Sequence, residues 1–324
     1  MGSTNNWAFP ASLRPRPEQV PFDLESALQS MVLVRTAIPE GGLTAPLLNT
    51  ARIGSGIVID DGTLVLTISY LIAEARTVWL TTHDGNAVPA DVVGYDPQYG
   101  FGLVMPLGRL GVPALPRGSS HGLRAGDNAL ILGYGGLPHS LNAQVTDRRE
   151  FAGYWEYVLE DAIFTAPAHP QLGGTALLGH DGHLLGVGSQ LVEESAGGEK
   201  YDANMFVPID HLEPIFDDLL RYGRSSAPPR PWLGVYVTEQ DGDLVIGGLA
   251  PDGPAHRAGV RPGDRVLRVK GQTVHGLADL FRRAWAAGPA GSHLPLTLAR
   301  GDKSLQVRLQ TADRQDYLLK PRRH

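Results

Sequence analysis

The chain of 324 residues contains no cysteine. That absence excludes disulfides, thiolate metal sites and cysteine nucleophiles. No apolar run reaches membrane-spanning length, so no span is expected. The opening stretch, "MGSTNNWAFPASLRPRPEQ", lacks the apolar core that a secretory signal requires. A chain that begins natively at Met1 is therefore expected in the cytoplasm, and one whose signal has been removed in the periplasm. The same stretch fails as a myristoylation motif, because its sixth residue is Asn6 rather than Ser or Thr. Aromatics make up only 7% of the chain and do not interleave with basic runs, which argues against a nucleic-acid partner.

Glycine and proline, by contrast, are plentiful (40 and 25 residues), the mark of many turns and short strands. The length exceeds what one compact core holds, so two or three domains are expected. Charge divides accordingly. Before Pro231 there are 14 basic and 25 acidic residues, a balance of −11; from Pro231 onward there are 14 and 9, a balance of +5. "GRSSAPPRP", Gly223 to Pro231, has the composition of a linker.

The strand pattern begins at "MVLVRTAI", after a short helix in "FDLESALQS". "GSGIVID" and "TLVLTIS" flank the hairpin turn "DDG". "TVWLTTHDG", "AVPADVVGYD", "FGLVMPL", "NALILGYG", "WEYVLED" and "HLLGVGSQ" continue at short intervals, which predicts an antiparallel barrel or sandwich. "FVPIDHLEPIFDDLLRYG" reads as an amphipathic helix with Asp210 as N-cap and Glu213 as its capping-box partner. After the linker, "WLGVYV", "LVIGGLA" and "DRVLRVKG" read as strands. "GPAHRAGV" reads as a short helix ending at Gly259, "LADLFRRAWAAG" as a helix ending at Gly288, and "LPLTLARGDKSLQVRL" as a hairpin turning on "GD".

This order of pieces resembles the HtrA/DegP family over roughly Asp23 to Ala312. "RPWLGV", "APDGPAHRAGVRPGDRVLRVKGQTV" and "LARGDKSLQVRL" match that family's PDZ pattern. "GSGIVIDDGTLVLTISYLI", "VVGYDPQYGFGLVMPL" and "HPQLGGTALLGHDGHLLGVGS" are similar to its histidine, aspartate and serine segments. The resemblance implies a mostly β protein, a chymotrypsin-like double β-barrel followed by a C-terminal α+β PDZ domain. It divides the chain into an extended arm (1–22), a barrel domain (23–222), a linker (223–230), a PDZ domain (231–312) and a tail (313–324). It also implies oligomers. The family forms trimers through its barrel domains with aromatics near the N-terminus, where Trp7 and Phe9 stand here. Docking of this arm on a larger complex is the alternative.

Aligned residue by residue, the catalytic histidine position holds Tyr70, the aspartate position Gly100 and the serine position Gly173. Serine attack on a peptide carbonyl needs an oxygen nucleophile, a base and a group to orient that base. Neutral tyrosine is a poor base near pH 7, and glycine has no side chain to act with. At the oxyanion hole the resemblance places Gln171 where the family has glycine, so a collapsed hole is expected. Tyr70 reads either as an aromatic plug in the emptied site or as a contact for bound peptide. Ser55 and Ser189 read as structural. His169, His180 and His183 lie near the old serine loop and His83 and His121 elsewhere in the barrel, yet "HDGH" suits a polar turn better than a metal pair. No metal and no cofactor is expected.

In the PDZ module the resemblance puts the peptide beside Trp232, Leu233, Gly234, Val235 and Tyr236. Leu280, Phe281 and Ala284 share one helical stripe and serve either as the opposing apolar wall or as core. The expected function is that of a proteolytically inactive HtrA-like pseudoprotease. It would bind a partner protein through its PDZ groove and barrel surface, as a scaffold, chaperone-like or accessory subunit. The alternatives are a hydrolase with a rebuilt site and a purely structural subunit whose PDZ groove is occluded by its own tail, "DYLLKPRRH".

Overall fold

The structure, a computed structural model, describes residues 7–320. Met1 to Asn6, on which the compartment expectation rests, and Pro321 to His324 at the end of the tail lie outside the described residues. The chain forms two compact units. One holds the residues up to Arg149 together with Asp161–Ser226; the other holds Glu150–Glu160 and Ala227–Leu319.

The first unit contains two closed six-stranded barrels. In the first, β1 (Met31–Ala37), β2 (Ala51–Ile59), β3 (Leu64–Ile68), β4 (Thr77–Thr81), β5 (Ala87–Tyr95) and β6 (Phe101–Pro106) close in the order β1-β2-β3-β6-β5-β4. β3 is buried along its whole length, its one polar residue, Thr67, donating to the Ser55 carbonyl at 2.8 Å, whereas β1 alternates. Helix α1 (Leu24–Gln29) precedes β1 and is capped by the Asp23 carboxylate, which accepts from the Ser26 N–H at 3.0 Å. α2 (Ala45–Leu48) and α3 (Ser69–Ile72) are single turns.

The second barrel comprises β7 (Asn128–Leu132), β8 (Ser140–Gly153), β9 (Tyr157–Ala166), β10 (Ala176–Leu178), β11 (Leu184–Ala196) and β12 (Glu199–Pro208), closed as β10-β11-β12-β9-β8-β7. β8, β10 and β12 go beyond the expected strands. β8 alternates buried and exposed residues only from Leu141 to Val145; past Val145 it runs out through Asp147, Arg148, Arg149 and Glu150 into a long hairpin with β9. Polar residues on a protruding arm carry no burial pattern to read.

The expected helix starts later than its sequence indicates. Phe206, Val207 and Pro208 finish β12, and α4 spans Glu213–Tyr222 with Leu212 at the N-cap and no side-chain cap. Asp210 does not cap it. Its carboxylate instead accepts from Ser119 Oγ (2.6 Å), Ser120 N–H (2.8 Å) and Ser120 Oγ (2.5 Å). The arm is laid against the second barrel. Phe9 is buried among Leu123, Ile131, Leu172 and Phe206, its N–H bonded to the Pro138 carbonyl at 2.9 Å, and Trp7 packs beside it.

In the second unit β13 (Val235–Gln240), β14 (Asp243–Leu249), β15 (Arg265–Val269), β17 (His293–Arg300) and β18 (Lys303–Gln310) form a sheet in that order, with β16 (Gln272–Thr273) beside β15. α5 (Pro254–Arg257) ends with Gly259 in the left-handed region, φ 79°. α6 (Leu277–Trp285) ends short of the expected Gly288, because its last turn tightens: Ala287 N–H bonds the Ala284 carbonyl, three residues back. The tail folds onto the unit, with Tyr317 4.8 Å from the Trp232 ring.

Gly174 shows how tightly the serine-loop frame is packed. It has φ 78°, and a Cβ there would lie 1.9 Å from the Ser55 carbonyl oxygen. We expect Gly174→Ala to destabilise the first unit by about 3 kcal/mol, read by calorimetry as a fall of roughly 6–12 °C in Tm.

Candidate functional site

The cleft between the two barrels of the first unit is built around Tyr70. β3 delivers the chain into α3, whose first N–H, from Ser69, bonds the Gly100 carbonyl at 2.6 Å. Buried Arg52 holds the far end of that turn, donating to the carbonyls of Tyr70 (2.5 Å) and Ala73 (3.3 Å) and to Thr44 Oγ1 (2.7 Å). The Glu74 carboxylate accepts from the N–H groups of Leu43 and Thr44, both at 2.8 Å, and from Thr44 Oγ1 at 2.5 Å. Burial pulls the Arg52 guanidinium below its ordinary range, and Glu74 opposes that pull. Sequence reasoning passed over this network. An arginine and a glutamate 22 positions apart carry no local signal.

So held, Tyr70 points its hydroxyl across the cleft, donating to the Ser189 carbonyl on β11 at 2.8 Å. Its ring lines the cleft while burial of the hydroxyl drives its pKa well above the usual tyrosine value. A Cβ at Gly173 would lie 2.3 Å from that hydroxyl oxygen. Tyr70 thus fills the space that a side chain at 173 would need. Gly100 sits at φ 101°, closing the "DPQYG" turn with its N–H on the Asp96 carbonyl at 2.9 Å. Any side chain at that backbone angle is strained.

The N–H of Gln171, expected at the oxyanion hole, donates to His169 Nδ1 at 3.1 Å. The other ring nitrogen of His169 lies 3.0 Å from the His139 carbonyl, so the proton is assigned to Nε2. His169 is buried, and Trp7 and Phe9 meet its ring at 5.4 and 5.3 Å. Desolvation lowers its pKa to about 4, against the opposing pull of the His139 carbonyl. Ser55 uses its Oγ to accept the Tyr134 N–H at 3.0 Å. What stays open is a cleft of about 400 Å³, lined by Leu33, Ile53, Tyr70, Tyr134, Gln171 and Leu191 among others.

The remaining histidines do not converge. His180 and His183 sit in one turn, where Gly182 has φ 81° and Asp181 accepts from the His183 N–H at 3.2 Å; His83 lies in the turn after β4. Among the described residues no three His, Cys, Asp or Glu side chains are grouped to hold a metal. One Ser–His–Asp cluster does form, from Ser119, His121 and Asp210. Yet Ser119 Oγ (2.8 Å) and Asp210 Oδ1 (2.7 Å) both approach the same nitrogen, His121 Nδ1. A base relay needs the serine and the acid on opposite ring nitrogens. Burial would raise the Asp210 pKa, but the bonds from Ser119 and Ser120 outweigh it and hold the pKa at about 2. The cluster is a loop latch.

In the second unit the loop ahead of β13 presents three backbone N–H groups to one carboxylate, that of Glu156. Leu233 donates to Oε2 at 2.9 Å; Gly234 and Val235 donate to Oε1 at 2.7 and 3.0 Å. Gly234, φ 76°, makes this nest possible. Two residues along, Val237 N–H bonds the Tyr154 carbonyl at 2.9 Å. Burial lifts the Glu156 pKa to about 7, even though the three N–H groups and Arg314 favour the anion. Trp232, Leu233, Gly234, Val235, Leu280, Phe281 and Ala284 are all buried, and Tyr236 is half-buried with its ring 6.2 Å from Tyr154. Leu280, Phe281 and Ala284 share one apolar cluster with Leu233, Val235 and Val158. The occupant of the loop is therefore the β8–β9 turn and not the tail, as far as the tail is described.

Residues 54–187 match the trypsin-like peptidase domain family and residues 231–311 the PDZ domain family. The chain is 28% identical over 280 residues to a probable periplasmic serine endoprotease, DegP-like, of Halomonas elongata, covering 81% of this chain and 56% of that protein. It is 29% identical over 287 residues to the putative serine protease HhoA of Synechocystis, covering 80% and 70%. The chain spans about half the length of the DegP-like relatives. Among solved structures, the HtrA-type protease AlgW with decapeptide superposes with a TM-score of 0.52 at 22% identity, covering 90% of this chain and 97% of that one. Fold and order of modules define the class: a trypsin-like peptidase domain followed by a PDZ domain. Within that class the chain is HtrA-like, with one PDZ domain.

Two outcomes follow. Tyr70→Phe leaves the buried Ser189 carbonyl without its donor and is expected to cost about 1–2 kcal/mol in urea unfolding. His169 has a folded pKa near 4, below the ordinary histidine value of 6.5, so the unfolded chain binds more protons in that range. Stability of the first unit should fall as pH drops from about 6.5 to 4, and His169→Gln should flatten that slope.

Proposed function

We propose that this HtrA-like chain is a pseudoprotease: it holds extended or C-terminal peptide segments of a partner protein and does not cleave them. One observation carries the reading, the Tyr70 hydroxyl standing where a side chain at residue 173 would have to be. The names of the relatives point to proteolysis. Against it, the base position holds a tyrosine whose pKa burial has raised further, and the acid and nucleophile positions hold glycine. Gln171 N–H, aimed at His169, removes a donor that an oxyanion would require.

Peptide binding is supported by the PDZ domain and by the AlgW structure, which holds a decapeptide. The proposal assigns the peptide to the loop and strand from Trp232 to Tyr236, facing the α6 stripe of Leu280, Phe281 and Ala284. The periplasm fits the naming of the DegP-like relatives. Assembly into an oligomer follows from the resemblance alone, since Trp7 and Phe9 pack on this chain's own second barrel.

Purified protein incubated with unfolded casein tests the reading. No turnover above buffer is expected, and Gly173→Ser alone is expected to add none. Turnover that co-purifies with the protein and disappears in Tyr70→Phe or His169→Gln would overturn it.

A further inference from the structure

We propose that the turn Tyr154–Glu156 is a built-in ligand of the PDZ module, with the Glu156 side chain standing in for a peptide's terminal carboxylate, so that an external peptide binds only by displacing it. The inference rests on the peptide-binding reading above and concerns how that site is regulated.

Four features of the second unit support it. First, one carboxylate, on half-buried Glu156, takes all three N–H groups, from Leu233, Gly234 and Val235. That set of donors is what a chain-terminal carboxylate would use. Second, the backbone follows. The Val237 N–H donates to the Tyr154 carbonyl while the Glu156 carboxylate meets the Val235 N–H, so Tyr154 to Glu156 run antiparallel to β13 along its edge, held by one backbone bond. Third, Val158 puts its side chain into the apolar cluster of Leu233, Val235, Leu280 and Phe281, the cluster that a ligand's apolar residue would join. Fourth, Arg282 on α6 clasps both arms of the hairpin, bonding Glu150 and lying 3.6 Å from Glu160. The occupant comes from the β8–β9 hairpin, whose tip belongs to this unit.

The arrangement is not free of cost. Glu156 itself has φ 62°, a left-handed angle that glutamate adopts at some strain. A free C-terminus would bring the same carboxylate without that strain. The apparent affinity of such a peptide equals its intrinsic affinity reduced by the fraction of molecules with the turn undocked. The ligand class this selects is a peptide with a free C-terminal carboxylate and a modest apolar last residue, of the size of Val158.

The test uses the full chain, as wild type, Glu156→Gln and Glu156→Ala. Fluorescein-labelled decapeptides ending in Ala, Val, Leu, Ile or Phe, each as free acid and as amide, are titrated by anisotropy. Hydrogen exchange of the Leu233–Val237 amides is followed in parallel, with the β17 amides as the control for folding. Both variants should bind the best free acid at least tenfold more tightly than wild type, the amides should not bind, and the Gly234 and Val235 amides should exchange at least tenfold faster in the variants without peptide. Equal affinity across the three proteins overturns the proposal. Unchanged exchange of the loop amides also overturns it. Faster exchange with no peptide bound by any protein overturns peptide binding as the function and leaves Glu156 as a purely structural lock.

Discussion

The hydrogen bond from the Tyr70 hydroxyl to the Ser189 carbonyl governs the rest of the cleft. It joins α3 of the first barrel to β11 of the second. A buried hydroxyl without a partner is costly, so the tyrosine depends on that carbonyl and the carbonyl on the tyrosine. Everything around it adapts to the path it takes. Residue 173 must lack a side chain, because the hydroxyl occupies that volume. Arg52, Thr44 and Glu74 secure the helical turn from which Tyr70 projects. Gly100 supplies the carbonyl that starts the turn, at a backbone angle that strains any side chain. Tyr70, Gly100 and Gly173 thus form one steric and hydrogen-bonded unit. A side chain at 173 collides with Tyr70, and one at 100 is strained by its backbone angle.

Two groups of backbone donors in this chain share a design. In each, the N–H groups are satisfied by a side chain of the same chain. Gln171 N–H finds His169 Nδ1, and the loop ahead of β13 finds Glu156. Both acceptors are titratable, His169 buried and Glu156 half-buried, and desolvation moves each toward its neutral form. They differ in what removal would require. His169 is wedged by Trp7, Phe9 and His139 into the packing of the second barrel, whereas Glu156 sits at a hairpin tip.

Much of this was legible in the sequence. The barrel strands with apolar alternation, the hairpin on "DDG", the left-handed Gly259 and the order of modules follow from period and turn chemistry. The segments that carry Tyr70, Gly100 and Gly173 could likewise be singled out by resemblance, and the structure brings Tyr70 against Gly173 and joins Ser69 to Gly100. β8 escaped because its outer half is polar, and the onset of α4 because Phe206 and Val207 continue a strand that happens to abut helical spacing. Asp210 has the residue type of a cap, but its carboxylate is drawn to Ser119 and Ser120, some 90 positions away. Glu156 was the most consequential miss. Within "WEYVLED", Glu156 reads as an ordinary strand residue, and only the fold places it in a turn and brings it to Gly234. Long-range polar pairs leave no periodic trace, which is why the acceptors that fill both sites were invisible until the structure placed them.

The most direct measurement of the central claim, that the cleft holds no activated nucleophile, is intact-mass analysis after incubation with a fluorophosphonate probe, which is attacked by the oxygen of a working serine hydrolase. An unchanged mass is expected for the folded protein over hours at neutral pH. A single stoichiometric phosphonyl adduct, lost on prior heat unfolding and mapped to a residue lining the cleft, would contradict it.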